Sequence, residues 1–232
     1  MKYDMKSVEW DAITALTEEH HIMIGGATGS GKSTLLYDIL YRLVQYPVNE
    51  QEIYLIDPKR VELVQWVGFP HVKGVATEPE EFNSLLDRVI IQMEARYKYM
   101  AEHGQRQSTC KHWHVVIDEL PEVLRVKGAV DRIDRILRLG RAANIHLIMA
   151  TQNPSRNKDG GVPARIWQNV SCRIALHCTT AIESRQCIMT SGAELLPRYG
   201  KMYVLNASGK YLLDVPRISE EDVDIMKMIQ CA

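Results

Sequence analysis

Apolar positions along the 232-residue chain fall into two patterns that alternate. Short continuous runs occur at Ile22-Met23-Ile24, Ile53-Tyr54-Leu55-Ile56, His114-Val115-Val116-Ile117 and Ile145 to Ala150. Such runs suit strands buried on both faces. Between them the apolar residues repeat every three or four positions: Leu35, Leu36, Ile39, Leu40 and Leu43, then Phe82, Leu85, Leu86, Val89, Ile90, Met93, Tyr97 and Met100 across 79–104, then Val130, Ile133, Ile136 and Leu137. That spacing predicts amphipathic helices. Further on, the pattern predicts a strand at 172–176, a helix at 182–189, a hairpin of 201–205 and 211–215 turned at Asn206-Ala207-Ser208-Gly209, and a terminal helix at 219–229. Strand and helix in alternation predict an α/β fold, a mainly parallel sheet flanked by helices on both faces with a C-terminal β-hairpin. Residues 1–20 read as a polar lead-in whose Val8, Trp10, Ile13 and Leu16 pack on the sheet edge, and 21–232 read as a single domain.

The connection after the first strand carries the clearest chemistry. Gly26-Ala27-Thr28-Gly29-Ser30-Gly31-Lys32-Ser33 fits the phosphate-binding loop G-x-x-x-x-G-K-[ST] at every fixed position, and Thr34 continues it into the helix. Glycines at 26, 29 and 31 let the backbone turn and present N–H groups to phosphate oxygens. Lys32 is placed for the β- and γ-phosphates, Ser33 for Mg²⁺, and the helix dipole adds positive potential. The expected ligands are therefore ATP and Mg²⁺. A second piece follows the strand at 114–117, where Asp118 and Glu119 end an apolar run. Asp118 suits the Mg²⁺ site, and Glu119 the general base that activates water. Gln152, an amide at the end of the next strand, is placed to sense the γ-phosphate. Asp57 and Lys59 end the second strand, where open sheets bind ligands, although a solvated turn explains them equally well.

Composition narrows the classes. A hydrophobic content of 46% and a charged content of 25% are ordinary for a globular domain. No apolar run approaches a membrane span and the N-terminus has no apolar signal core, which points to the cytoplasm. Five cysteines without a C-x-x-C pair read as reduced thiols. His112 and His114 share one face of a strand but lack a third ligand nearby, so they read as ordinary side chains. A net charge of −1 excludes a strongly basic surface, so any nucleic-acid contact must come from a few local residues multiplied over several subunits.

The residues resemble the motor domain of the FtsK/SpoIIIE family of DNA translocases, within the FtsK–HerA group of RecA-like P-loop ring ATPases. The resemblance runs over nearly the whole chain. It rests on Gly25 to Ser33, Leu55-Ile56-Asp57-Pro58-Lys59, Met93-Glu94-Ala95-Arg96-Tyr97, Val116-Ile117-Asp118-Glu119, Gly140 to Leu147, Ala150 to Ser155, Glu183-Ser184-Arg185 and Gly192-Ala193-Glu194. It implies an ATP-hydrolysing motor that pumps double-stranded DNA through a homo-oligomeric ring, a hexamer in this family. It also implies that Arg141 is an arginine finger for the neighbouring subunit's site, with Arg185 a second candidate for an interface or nucleotide contact. Arg125, Lys127, Arg156 and Lys158 lie in two loops that face such a channel and are the candidate DNA contacts. Asn153 stands where the family usually has arginine. The membrane-spanning region and winged-helix module of the cell-division members have no counterpart in these residues, which points to a bacterial, phage or mobile-element motor. Two alternatives stay open. One is a DNA-packaging or conjugative coupling ATPase; the other is an ATP-switched assembly module of a secretion complex that does not bind DNA.

Overall fold

The structure, a computed structural model, describes residues 14–155, 160–215 and 218–231. Eight strands form one sheet: β1 (His21–Gly25), β2 (Gln51–Ile56), β3 (Val72–Ala76), β4 (His112–Ile117), β5 (Ile145–Thr151), β6 (Cys172–Ala175), β7 (Lys201–Asn206) and β8 (Gly209–Asp214). Their spatial order is β3-β2-β4-β5-β1-β6-β7-β8. Pairings from β3 through β6 are parallel. The last two, β6 with β7 and β7 with β8, are antiparallel. Helices α1 (Lys32–Leu43), α2 (Pro79–Glu102), α3 (Leu120–Leu124), α4 (Ala129–Leu139), α5 (Ala164–Gln168), α6 (Ala181–Ile188) and α7 (Glu220–Cys231) cover the sheet.

Strand alternation divides the core into two layers. Ile22, Ile24, Ile53, Leu55, Val116 and Ile148 point one way, onto Leu35, Leu36, Ile39 and Leu43 of α1. Met23, Tyr54, Ile56, Val115, Leu147 and Met149 point the other way, onto Phe82, Leu86, Val89 and Met93 of α2 and Ile133 and Ile136 of α4. Period-2 side chains on both faces therefore produce the continuous apolar runs. Helix α2 starts at a capping box in which Glu78 accepts from the Glu81 backbone and the Glu81 side chain accepts from the Glu78 N–H, with Pro79 in the first turn. Its Arg96 is buried against the Trp113 ring at 5.1 Å and donates to the Ala143 and Asn144 carbonyls. The arginines of α4 are mostly paired within the chain. Arg132 binds Asp87 and Arg135 binds Glu94, both across to α2, and Arg138 binds Asp134.

At the amino-terminal end of the sheet, five imidazoles gather, four from three strands and His20 from the residue before β1. The ring of His146 stacks on those of His114 and His112, with centroids 4.8 and 5.0 Å apart, and on His20 at 5.6 Å. His112 Nδ1 and His146 Nε2 lie 2.8 Å apart, and His21 Nδ1 accepts from the Leu147 N–H at 3.1 Å. Burial first, then the neighbouring imidazoles, hold His21 and His114 down to about 3 and push His146 lower still. The two histidines read from the sequence thus belong to a larger stack. Four of the rings lie face to face, and among the described residues no group of His, Cys, Asp or Glu converges as a metal site. No helix among those residues is long and apolar enough to cross a membrane.

Candidate functional site

The glycine loop leaves β1 at the sheet's centre and turns into α1. Gly29 and Gly31 take φ of +71° and +94°, a left-handed region that side chains disfavour, whereas Gly26 is required by close approach. A Cβ on Gly26 would lie 2.6 Å from Ser30 Oγ. Gly31 caps α1 with no side-chain partner, so the first-turn N–H groups stay free of side-chain caps, the arrangement that an anion at a helix N-terminus needs. Lys32 is buried, and its ammonium donates to the carbonyls of Gly26 at 2.9 Å and Ala27 at 2.8 Å. Burial holds its pKa down to about 8.

The acidic pair stands two strands away, at the end of β4. Both carboxylates are buried, and both face Lys59, whose ammonium is 3.0 Å from Glu119 Oε2 and 3.6 Å from Asp118 Oδ2. Glu119 Oε1 also accepts from the Gln152 N–H at 3.2 Å. Burial raises Asp118 to about 6, partly offset by the Lys59 charge. Burial opposes the Lys59 charge, yet its hydrogen bond to Glu119 and the nearby Asp118 carboxylate leave its pKa raised. Just past β5, which lies between the loop strand and the acidic strand, Gln152 Oε1 accepts from Thr28 Oγ1 at 2.8 Å. Lys32, Ser33, Asp118, Lys59 and Gln152 line one cavity of about 330 Å³. A cleft of about 570 Å³ adjoins it past Ser33 and Thr34 and reaches Tyr37, Gln65 and Ile218. The two strand-end residues of β2 separate: Lys59 enters the cavity, while Asp57 accepts from the N–H groups of Lys59, Arg60 and Leu63 and builds the turn.

Other candidates lie elsewhere. Arg141 is exposed in a short 3₁₀ turn just before β5, at the end of the sheet opposite its own loop. Seven residues of β5 separate the two ends, about 20 Å. Arg185 is exposed on α6. Arg125 pairs with Glu122, and its guanidinium approaches Gly160 within 3.8 Å of a Cβ built there, so the two loops proposed for DNA adjoin. Lys127 is exposed beside them, whereas Arg156 and Lys158 lie outside the described residues. Three residues absent from the sequence reading stand at the site. Glu62 and Tyr199 line the cavity, and the Arg198 guanidinium sits over Gly29.

Strand order, glycine loop and acidic strand end place the chain among RecA-like P-loop NTPase folds. Solved structures agree. The cytoplasmic domain of the Thermomonospora curvata type VII secretion ATPase EccC superposes with TM-score 0.77 and 26% identity, over 91% of this chain and 28% of that one. The pCW3 conjugation coupling protein TcpA, a monomer form with ATPγS, gives TM-score 0.79 and 22% identity over 92% of this chain and 66% of that one. The FtsK/SpoIIIE family profile matches residues 2–128, and the chain belongs to that family. Among relatives, the DNA translocase FtsK of Sporosarcina ureae is 33% identical over 91% of this chain and 30% of its own length. The DNA translocase SpoIIIE of Bacillus subtilis strain 168 is 31% identical over 97% and 31% respectively. The chain thus spans about 30% of the length of the curated relatives it matches.

Proposed function

We propose that this domain is an ATP-hydrolysing motor that moves double-stranded DNA through a homo-oligomeric ring, a hexamer, in the cytoplasm. The observation that carries the proposal is the convergence of Lys32, Ser33, Asp118 and Gln152 on one cavity, with Glu119 hydrogen-bonded to Gln152 and Lys59 at its edge. The residues fit the expected ligands. Asp118 Oδ2 is buried with no hydrogen-bond partner among the described residues, and a carboxylate and a hydroxyl are the hard oxygen donors that Mg²⁺ takes. Ser33 and Asp118 would hold Mg²⁺, which would neutralise charge developing on the phosphates. Lys32 would turn from the Gly26 and Ala27 carbonyls toward the phosphate chain. Glu119, held in place by the Lys59 ammonium at 3.0 Å, takes the proton of the attacking water. Gln152 reports occupancy through Thr28.

Arg141 supports the ring. An exposed guanidinium at the far end of the sheet cannot serve its own loop, whereas a head-to-tail interface delivers it to a neighbour's. Arg125, Lys127, Arg156 and Lys158 are the proposed DNA contacts, and Arg185 an interface contact. The test is ATPase rate against protein concentration, with and without linear double-stranded DNA. The rate per subunit is expected to rise with both, and Glu119→Gln and Arg141→Ala to abolish it. A flat, DNA-insensitive rate overturns the motor. It favours the second reading, a nucleotide-switched module of a secretion complex, which the likeness to EccC supports.

A further inference from the structure

The sequence offers Arg141 and Arg185 as arginines for the nucleotide, but a third one stands over the loop. A Cβ built on Gly29 would meet the terminal nitrogen of Arg198 at 3.0 Å, so Gly29 leaves the space that this guanidinium uses. Arg198 has no carboxylate partner among the described residues. Its guanidinium carbon lies 5.7 Å from the Tyr199 ring centroid, and Tyr199 lines the same cavity as Lys32 and Gln152. An exposed guanidinium held at a loop that already carries a buried ammonium and unpaired helix N–H groups adds like charge to like charge. Beside the Asp118 and Glu62 carboxylates that line the same cavity, this cluster of positive groups is arranged as a receptor for a phosphate anion.

The placement is built, not incidental to a floppy turn. The Ala27 N–H of the loop donates to the His177 carbonyl at 2.8 Å. The ring of the same histidine bonds through Nδ1 to the Leu196 carbonyl at 2.8 Å, which fixes Nδ1 as the donor. The Cys178 N–H donates to the Ala193 carbonyl at 3.1 Å. His177 and Cys178 therefore strut the segment 193–196 against the glycine loop, and Arg198 follows two residues later. Which phosphate it faces follows from Thr28. Thr28, next to Gly29, is bonded to Gln152, and Gln152 is bonded to Glu119, so this apex is the end of the loop nearest the acidic pair.

We propose that Arg198 is a further nucleotide-binding residue, contacting the terminal phosphate of a nucleoside triphosphate on its own subunit's loop, with His177 as its positioning residue. The inference rests on the nucleotide reading above. The test is equilibrium displacement of a fluorescent ADP analogue by ATPγS or by ADP, in wild type, Lys32→Ala, Arg198→Ala, Arg198→Lys and His177→Ala. A charge-assisted bond to phosphate predicts that Arg198→Ala weakens ATPγS about tenfold or more and ADP less than about threefold. Arg198→Lys recovers part of the loss. His177→Ala, which keeps its carbonyl and loses the ring bond, shows the same selectivity at smaller size. The melting temperature of nucleotide-free Arg198→Ala stays at the wild-type value because the side chain is exposed. Unchanged ATPγS affinity in Arg198→Ala, or equal loss for both nucleotides, overturns this inference while leaving the site. Failure of wild type to bind either nucleotide overturns the reading of the site itself.

Discussion

Replacing His114 by leucine should flatten the pH dependence of stability by an amount the structure sets. His114 is buried, neither ring nitrogen has a hydrogen-bond partner among the described residues, and it packs on His146 and His112. Its pKa is held down to about 3, against an ordinary value of 6.5. A base whose folded pKa is depressed is favoured neutral, so its contribution is fully present above pH 6.5 and is lost as pH falls below it, down toward pH 3. At pH 5 the unfolded chain has bound this proton and the folded chain has not. The loss is then about 1.4 kcal/mol for each of 1.5 pH units, or about 2 kcal/mol. Against a total of roughly 5–15 kcal/mol this is measurable. The wild-type curve alone does not isolate it. Burial raises Asp38 to about 7 and Asp118 to about 6, and both stabilise the fold as pH falls over the same interval. The difference between wild type and His114→Leu cancels those carboxyls. Urea unfolding followed by fluorescence of the buried Trp66, Trp113 and Trp167 should show that difference shifting by about 2 kcal/mol between pH 7.5 and pH 5, in favour of the variant. A difference constant to within about 0.5 kcal/mol would refute the claim that burial keeps His114 neutral.

Two further outcomes follow from the loop and the acidic pair. Lys59→Ala removes the cation shared by Glu119 and Asp118, and steady-state kinetics should show kcat for ATP falling about tenfold with KM within about twofold; a change confined to KM would contradict a positioning role. Gly31→Ala meets nothing within 4 Å, so its cost is the left-handed φ of +94° alone. That strain of roughly 1–2 kcal/mol should lower the melting temperature of a domain this size by about 2–8 °C, and an unchanged value would mean that the loop relaxes.

What the sequence reveals and what it conceals divides along sheet position and chain distance. Central strands are legible because both faces are buried, and so β1, β2, β4 and β5 read as apolar runs. Strand β3, Val72-Lys73-Gly74-Val75-Ala76, went unread because an edge strand needs only one apolar side and this one is half exposed. The five-residue helices α3 and α5 are too short to show a period. The glycine loop and Asp118-Glu119 are local patterns, and Gln152 follows from its place at a strand end beside them. Arg198 has no such signal. It sits in Pro197-Arg198-Tyr199-Gly200, an ordinary turn composition, and stands over Gly29 in a segment tied to the loop by the His177 ring bond to Leu196, the His177 carbonyl and the Cys178 N–H. The histidines show the same limit in another form. His112 and His114 are recognisable as one face of a strand, but it is the register of β4 on β5, which pairs His114 with His146, that turns two side chains into a stack. A local motif names the residues that touch a ligand through their own loop, whereas residues brought there by register or by a distant carbonyl become visible only once the sheet is assembled.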